Sequence, residues 1–408
     1  MRLIYGPRQC LLTTYRMICP FPAAGNNVET VNFEIGASSV VERQMKFHEF
    51  ALTKSDNKPR EFVSCMSRMI AFEDWALFLV QMETFRYYGG NLVVVYVECA
   101  LKKLNELMKV YEKDGLIKIR KAYKGSSNPN IPYDPDAQTE YANQMTNSHM
   151  CLYEFRESAE FISFTDWDDV LVGPNFGKIS TPFAEVFRQV STLNPFAASF
   201  SISRYPFINE KAFRPKSYQF SLELLFNQLH YSTKIEPPKV VVRPQLVAGV
   251  WIHNLIYAES DKYYEMKVNS TNAALLHLKN LIIDEEETEV TLNKLMFSEN
   301  GSHLIDGKVL QQNMVKMFEK HNFTFDLSAF SHSQIFHKLI SKCYSSIEKS
   351  ASDNSLIFCP THKACIYPDQ NVTVIKVKTS FKHPKIVAGS IWHERKDVSF
   401  VESHKGCL

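Results

Sequence analysis

The run Asn91-Leu-Val-Val-Val-Tyr-Val97 is apolar at every position after the first. Successive side chains of a strand point to opposite faces, so a run without polar alternation must be covered on both. Its neighbours repeat one pattern. Glu61-Phe-Val-Ser-Cys-Met66 reads as a buried strand, and Glu73 to Tyr88 as a helix with Trp75, Phe78, Leu79, Met82 and Phe85 near one face. Gly89-Gly90 stops that helix. Ala100 to Lys113 is a second helix, Asp114-Gly115 turns the chain, and Leu116-Ile-Lys-Ile-Arg120 is a third strand. Strands alternating with helices mean parallel pairing through right-handed crossovers. The series continues through a helix from about Ala137 to Ser158, the strand Glu160–Thr165, a helix Pro182–Leu193 and the strand Ala197–Ser203. This is an α/β chain with a mainly parallel mixed sheet flanked by helices.

Outside that series the pattern differs. Residues 1–60 are irregular, with Asn32–Ile35 and Gln44–Phe50 alternating like edge strands or a stem. Past about 285 the chain is first helical and polar, then alternates in short strands. The expected division is thus an N-terminal segment 1–60, a main domain 61–285 and a smaller mixed C-terminal region 286–408. Lys plus Arg is 46 and Asp plus Glu 44, a balance that offers no electrostatic footprint for nucleic acid. Arg2, Arg8 and Arg16 break every apolar run near the start, so no signal or membrane segment is visible there. Two features point towards the secretory pathway. Sequons stand at Asn269, Asn300, Asn322 and Asn371, and the loop Cys359–Cys365 suits a disulfide better than a zinc site with His362, His404 and Cys407.

No G-x-G-x-x-G follows the first strand, and neither a P-loop, a G-x-S-x-G nor an H-E-x-x-H occurs. The chemistry sits in Asp166-Trp-Asp168-Asp169, at the carboxyl end of the fourth strand, where open α/β sheets bind ligands. Residues i and i+2 of an extended segment face the same way, so Asp166 and Asp168 aim two carboxylates at one point. Such hard oxygen ligands suit Mn²⁺ or Mg²⁺, which would clamp a diphosphate. The bland alternative is an acid-capped turn. Downstream stand Lys239-Val-Val-Val-Arg243-Pro244, His253 and His277. Cations suit a diphosphate and imidazole suits Mn²⁺, although a lone histidine is more often a satisfied structural residue.

In this order and spacing the features resemble glycosyltransferase family 92. The pieces that carry the resemblance are Cys65, Trp75, Val93–Tyr96, Gln144, Cys151, Phe164-Thr-Asp166-Trp-Asp168-Asp169, Lys239–Pro244, His253 and His277. It covers roughly residues 61–285 and extends weakly beyond them. The resemblance implies a GT-A-like nucleotide-sugar-binding domain and a metal-dependent enzyme. Such an enzyme moves a sugar, galactose by preference, from a UDP-sugar to a glycan or glycoprotein acceptor with inversion. It further implies a Golgi glycoprotein with a membrane anchor, and no anchor shows in this sequence. In this reading Asp166, Asp168 and His253 hold the metal, with His277 as the alternative to His253, and Asp166, Asp169, Lys239, Arg243 and His277 face the UDP-sugar. Glu210 is the candidate general base. Three positions depart from the family pattern: Asp169 stands where Glu is expected, Met150 where an acid is usual and Leu278 where Tyr is usual. The rival reading is a catalytically inactive glycan-binding or scaffold protein on the same fold.

Overall fold

The computed structural model describes residues 55–125, 132–209, 220–232, 234–278, 305–331, 333–352, 359–382 and 394–408, with short pieces outside these ranges. The strands and helices that position the site are β1 (Arg60–Met66), α1 (Trp75–Tyr87), β2 (Leu92–Val97), α2 (Lys102–Asp114) and β3 (Ile117–Lys121). They continue with α3 (Gln144–Phe155), β4 (Ala159–Thr165), β5 (Asp169–Val172), α4 (Phe183–Leu193) and β6 (Ala197–Asn209). β7 (Glu236–Val242), β8 (Val247–Trp251), β9 (Ala274–His277), α5 (Gly307–Lys320) and α6 (Ile335–Ser352) follow.

The central sheet runs β5-β9-β6-β7-β4-β1-β2-β3. β1 to β4 pair in parallel, as the alternation with helices predicts. β7 inserts antiparallel between β4 and β6, and β5 closes the far edge antiparallel to β9, which gives the mixed character. All six residues of β2 are buried. Val93, Val95 and Val97 join the larger core with α1, α2, α4 and α5, while Leu92, Val94 and Tyr96 join a second core under α3 and β8. The apolar run is the price of being covered twice.

The caps follow from local chemistry. Asp74 Oδ1 accepts the Leu77 N–H at 2.9 Å and so caps α1. Gly115 sits at φ 85° directly after α2, where a side chain would meet its own carbonyl. α1 is buried from Trp75 to Phe85, beyond the one face its spacing suggests, because α5 packs against it from the C-terminal region. Leu310, Met314, Met317 and Phe318 of α5 belong to the larger core. In the N-terminal segment, Asn32–Ala37 pairs antiparallel with Lys46–Ala51.

The cysteines pair across the whole chain. Cys65 bridges Cys151, Cys99 bridges Cys407, Cys343 bridges Cys365 and Cys10 bridges Cys359. The expected Cys359–Cys365 loop is therefore corrected. Each of its cysteines pairs with a different element, one with the N-terminal segment and the other with α6. The zinc alternative falls with it, since Cys359, Cys365 and Cys407 are all oxidised. Among the described residues no helix is long and apolar enough to cross a membrane.

Candidate active site

A cleft of about 950 Å³ opens at the carboxyl end of the parallel strands. Ser67 and Arg68 enter it from the end of β1, Asp166, Trp167 and Asp168 from the end of β4, and Lys239 from the middle of β7. The motif turns tightly: the Asp169 N–H donates to the Asp166 carbonyl at 3.1 Å. Gln81 of α1 fixes the turn from below. Its Nε2 donates to the carbonyls of Trp167 at 2.9 Å and Asp169 at 2.8 Å. The Trp167 indole is buried and donates to the Ser67 carbonyl at 2.9 Å. The middle residue is thus an anchor, and the acids on either side stay at the cleft.

Each acid has its own surroundings. Asp166 is ion-paired with the Lys239 ammonium and accepts from Gln144 Nε2 at 3.3 Å. Burial opposes its charge, but Lys239 outweighs burial and holds the carboxyl below its usual range. Lys239 is 1% exposed. Burial weakens its charge too, yet Asp166 and Asp169 together raise its pKa. Asp169 is fully buried and lies 3.2 Å from Arg204 and 3.4 Å from Lys239. Burial, then the charge of Asp168, pushes its carboxyl up to about 7.

Antiparallel pairing of β5 with β9 sets His277 directly opposite Asp169. The Leu278 N–H donates to the Asp168 carbonyl at 2.8 Å and continues the register. His277 Nε2 then lies 3.0 Å from Asp168 Oδ2, and its Nδ1 lies 2.5 Å from Glu236 Oε2. With a carboxylate at each nitrogen, both ring nitrogens act as donors. Burial opposes that charge, but the hydrogen bond and charge of Asp168 outweigh it and raise the imidazole's pKa.

Ligand atoms of Asp168, Asp169 and His277 all lie within 4.8 Å of one another. Two hard oxygens and an imidazole suit Mn²⁺ or Mg²⁺. Charge agrees. With all four carboxylates ionised, Asp166, Asp168, Asp169 and Glu236 face Lys239, Arg204 and the doubly protonated His277, which leaves a surplus of one negative charge among these groups. Glu236 on the second nitrogen of His277 is the outer partner that metal-binding histidines usually have.

Several residues singled out from the sequence meet here: Asp166, Asp168, Asp169, Lys239 and His277 form one network. His253 lines the same cleft, and its Nδ1–H donates to the Pro238 carbonyl at 2.7 Å. It is not among the grouped ligand atoms, which include the alternative histidine, His277. Arg243 does not reach the site. It follows β7 at the opposite end of the sheet, ~13 Å beyond Lys239 at strand rise, and its guanidinium donates to the Pro195 carbonyl at 2.8 Å. Glu210 lies outside the described residues. The departures from the family pattern also find places. Met150 faces a separate groove beside Tyr96 and Arg120, and the Leu278 side chain is buried in the core.

Sequence reasoning missed Arg204, Glu236 and Gln81. Arg204 is the one charged residue in thirteen residues of β6, an oddity that signals a buried partner. Glu236 and Gln81 carry no comparable signal, since nothing along the chain shows that they face the motif.

The cleft continues past Gln144 to a strained turn. Tyr141, Ala142 and Asn143 have φ of 41°, 51° and 68°, three consecutive left-handed residues without a glycine. The Tyr141 N–H donates to the Pro360 carbonyl at 2.8 Å, beside the Cys10–Cys359 bridge.

A mixed α/β sheet with acids and a histidine gathered at the carboxyl ends of its strands fits the GT-A-like class that the resemblance implies. The particular family follows from comparison: the family model for "Glycosyltransferase family 92" matches residues 60–319, and the chain belongs to that family. Curated relatives in Caenorhabditis elegans include glycosyltransferase family 92 protein F13G3.3, 23% identical over 76% of this chain and 62% of that protein. Another, C33H5.2, is 26% identical over 85% of this chain and 69% of its own length. This chain therefore spans about two thirds of the length of these relatives. Among solved structures, S. aureus TarS 1–349 is similar at 11% identity over 53% of this chain and 60% of its own, with a TM-score of 0.29. That likeness is too distant to bear on the site.

Proposed function

We propose that this chain transfers a sugar, galactose by preference, from a UDP-sugar to a glycan acceptor with inversion, and that Mn²⁺ or Mg²⁺ assists it. The observation that carries the reading is the Asp168–Asp169–His277 group at the strand ends of a family 92 domain. These three would hold the cation, which when bound neutralises the diphosphate and the charge it gains on leaving. Asp166 holds Lys239 in the wall of the cleft, where an ammonium can meet the departing diphosphate. Glu236 keeps His277 turned towards Asp168, and Arg204 balances Asp169 from behind.

The four disulfides suit an oxidising compartment, and Asn269, Asn322 and Asn371 are exposed sequons, so a secretory, glycosylated protein is the matching location. The enzyme reading is favoured over the inactive one, because neither Met150 nor the Leu278 side chain faces the cleft. The test is thermal unfolding with UDP, with and without Mn²⁺. A ligand at about 100 times its Kd stabilises the native state by ~2.7 kcal/mol. UDP should raise the melting temperature only with Mn²⁺, and Asp168→Asn and His277→Ala should each remove the effect. Equal stabilisation without metal, or wild-type behaviour of both variants, would sink the reading.

A further inference from the structure

The cleft holds more carboxylates than the metal group and its ion pairs use. Six line it: Glu73, Asp74, Glu140, Asp166, Asp168 and Glu348. Asp74 caps α1, Glu73 accepts the His337 N–H at 2.8 Å at the start of α6, Asp166 is paired with Lys239 and Asp168 with His277. Glu348 is exposed on α6. Glu140 and Glu73 each have a buried Oε2 with no hydrogen-bond partner, but Glu73 is held at the start of α6 through its other oxygen. Glu140 stands four residues before Gln144, which touches Asp166, and directly before the strained turn at Tyr141–Asn143. Strain of that kind persists where the surroundings over-determine it, and here they do so beside the cleft. Tyr141 stacks on Trp251, with ring centres 6.4 Å apart and planes 25° apart, and packs against Tyr344 at 5.7 Å. All three aromatics line the cleft and are half-buried.

We propose that Tyr141 and Trp251 form the acceptor subsite, a platform for an uncharged pyranose, with Glu140 as the base that takes the proton of the attacking hydroxyl. The proposal rests on the transfer reading above. Pyranose rings present a face of C–H groups that stacks on aromatic rings, and the acids on this wall disfavour an anionic sugar. In the transfer step the acceptor oxygen bonds to the anomeric carbon. The bond from that carbon to the diphosphate oxygen breaks, its electron pair leaves on UDP, and the acceptor proton passes to the Glu140 carboxylate. Burial pushes that carboxyl up to about 7, within the range of a base that works at neutral pH.

The experiment uses the whole chain with Mn²⁺, UDP-galactose, and methyl β-D-galactopyranoside or methyl β-D-glucopyranoside as probes of an uncharged pyranose. UDP affinity is measured by calorimetry, pyranoside affinity by NMR titration in the presence of UDP, and donor turnover by UDP release. Glu140→Gln should cut turnover by about 100-fold or more while UDP affinity stays within about twofold. Trp251→Ala should weaken pyranoside binding by about tenfold and leave UDP affinity unchanged. Turnover of Glu140→Gln within about threefold of wild type overturns the base. A wild type that binds UDP but turns over no donor does the same. Unchanged pyranoside affinity in Trp251→Ala, or a wild type that binds UDP but neither pyranoside, overturns the subsite. A wild type that binds no UDP with Mn²⁺ overturns the donor reading, and this proposal with it.

Discussion

Glu73 shows how one side chain couples the cleft to stability. Its Oε1 accepts the His337 N–H, while its Oε2 is buried without a hydrogen-bond partner. Burial pushes the carboxyl up to about 7, against the backbone N–H groups of His337, Phe336 and Ile335 that hold it down. The folded state thus binds this proton more tightly than the unfolded chain does. Stability from this group is fully present below the unfolded pKa near 4.5 and is lost as pH rises through about 7, a loss of about 3 kcal/mol. Glu73→Gln imitates the protonated form. Denaturant titrations from pH 5 to 8 should show the wild type losing stability and the variant losing about 3 kcal/mol less. Parallel curves would refute the assignment. A residue such as Glu73 is legible in the sequence only as a helix-start acid; its second oxygen is stranded because α6, far along the chain, closes over it.

At the scale of elements, the motif depends on α1 more than on its own strand. Gln81 satisfies two buried carbonyls of the Asp166–Asp169 turn. Gln81→Leu keeps the volume and removes both donors, so each carbonyl is left unpaired at ~1–3 kcal/mol. The expected result is a loss of about 2–5 kcal/mol in chemical unfolding, with UDP binding in Mn²⁺ weakened because the acids lose their fixed spacing. A variant with wild-type stability would show that solvent reaches these carbonyls. Strand and helix positions for β1 to β4 and α1 and α2 were readable because short apolar runs mark the strands and apolar residues spaced by three or four mark the helices. α3 is shorter than its sequence suggests, starting at Gln144 rather than about Ala137, because the turn at Tyr141–Asn143 cannot be helical.

Across the whole molecule, disulfides join segments that sequence distance keeps apart. Cys10–Cys359 spans 349 residues and Cys99–Cys407 spans 308, so the N-terminal segment is tied to the C-terminal region and that region to the main domain. Long closed loops give the larger entropic stabilisation, of order 2–4 kcal/mol per bridge. Peptide mapping without reduction should recover Cys10–Cys359, Cys65–Cys151, Cys99–Cys407 and Cys343–Cys365, and reduction should lower the melting temperature by several degrees or more. Recovery of a Cys359–Cys365 peptide instead would overturn the pairing.

What the sequence determined by itself is local. Alternation of buried strands with amphipathic helices requires an α/β sheet, and Asp166-Trp-Asp168-Asp169 is placed at one of its strand ends, beside the cleft. Both follow from side-chain period and chain direction, which a linear sequence contains. Which carboxylates group together was decided only by tertiary structure. The register of β5 against β9 puts His277 beside Asp168 and Asp169, and insertion of β7 brings Lys239 and Glu236 to the motif while carrying Arg243 to the far end. Register and strand order depend on the packing of the whole sheet. No spacing along the chain encodes them, and for the same reason no count of cysteines could name their partners.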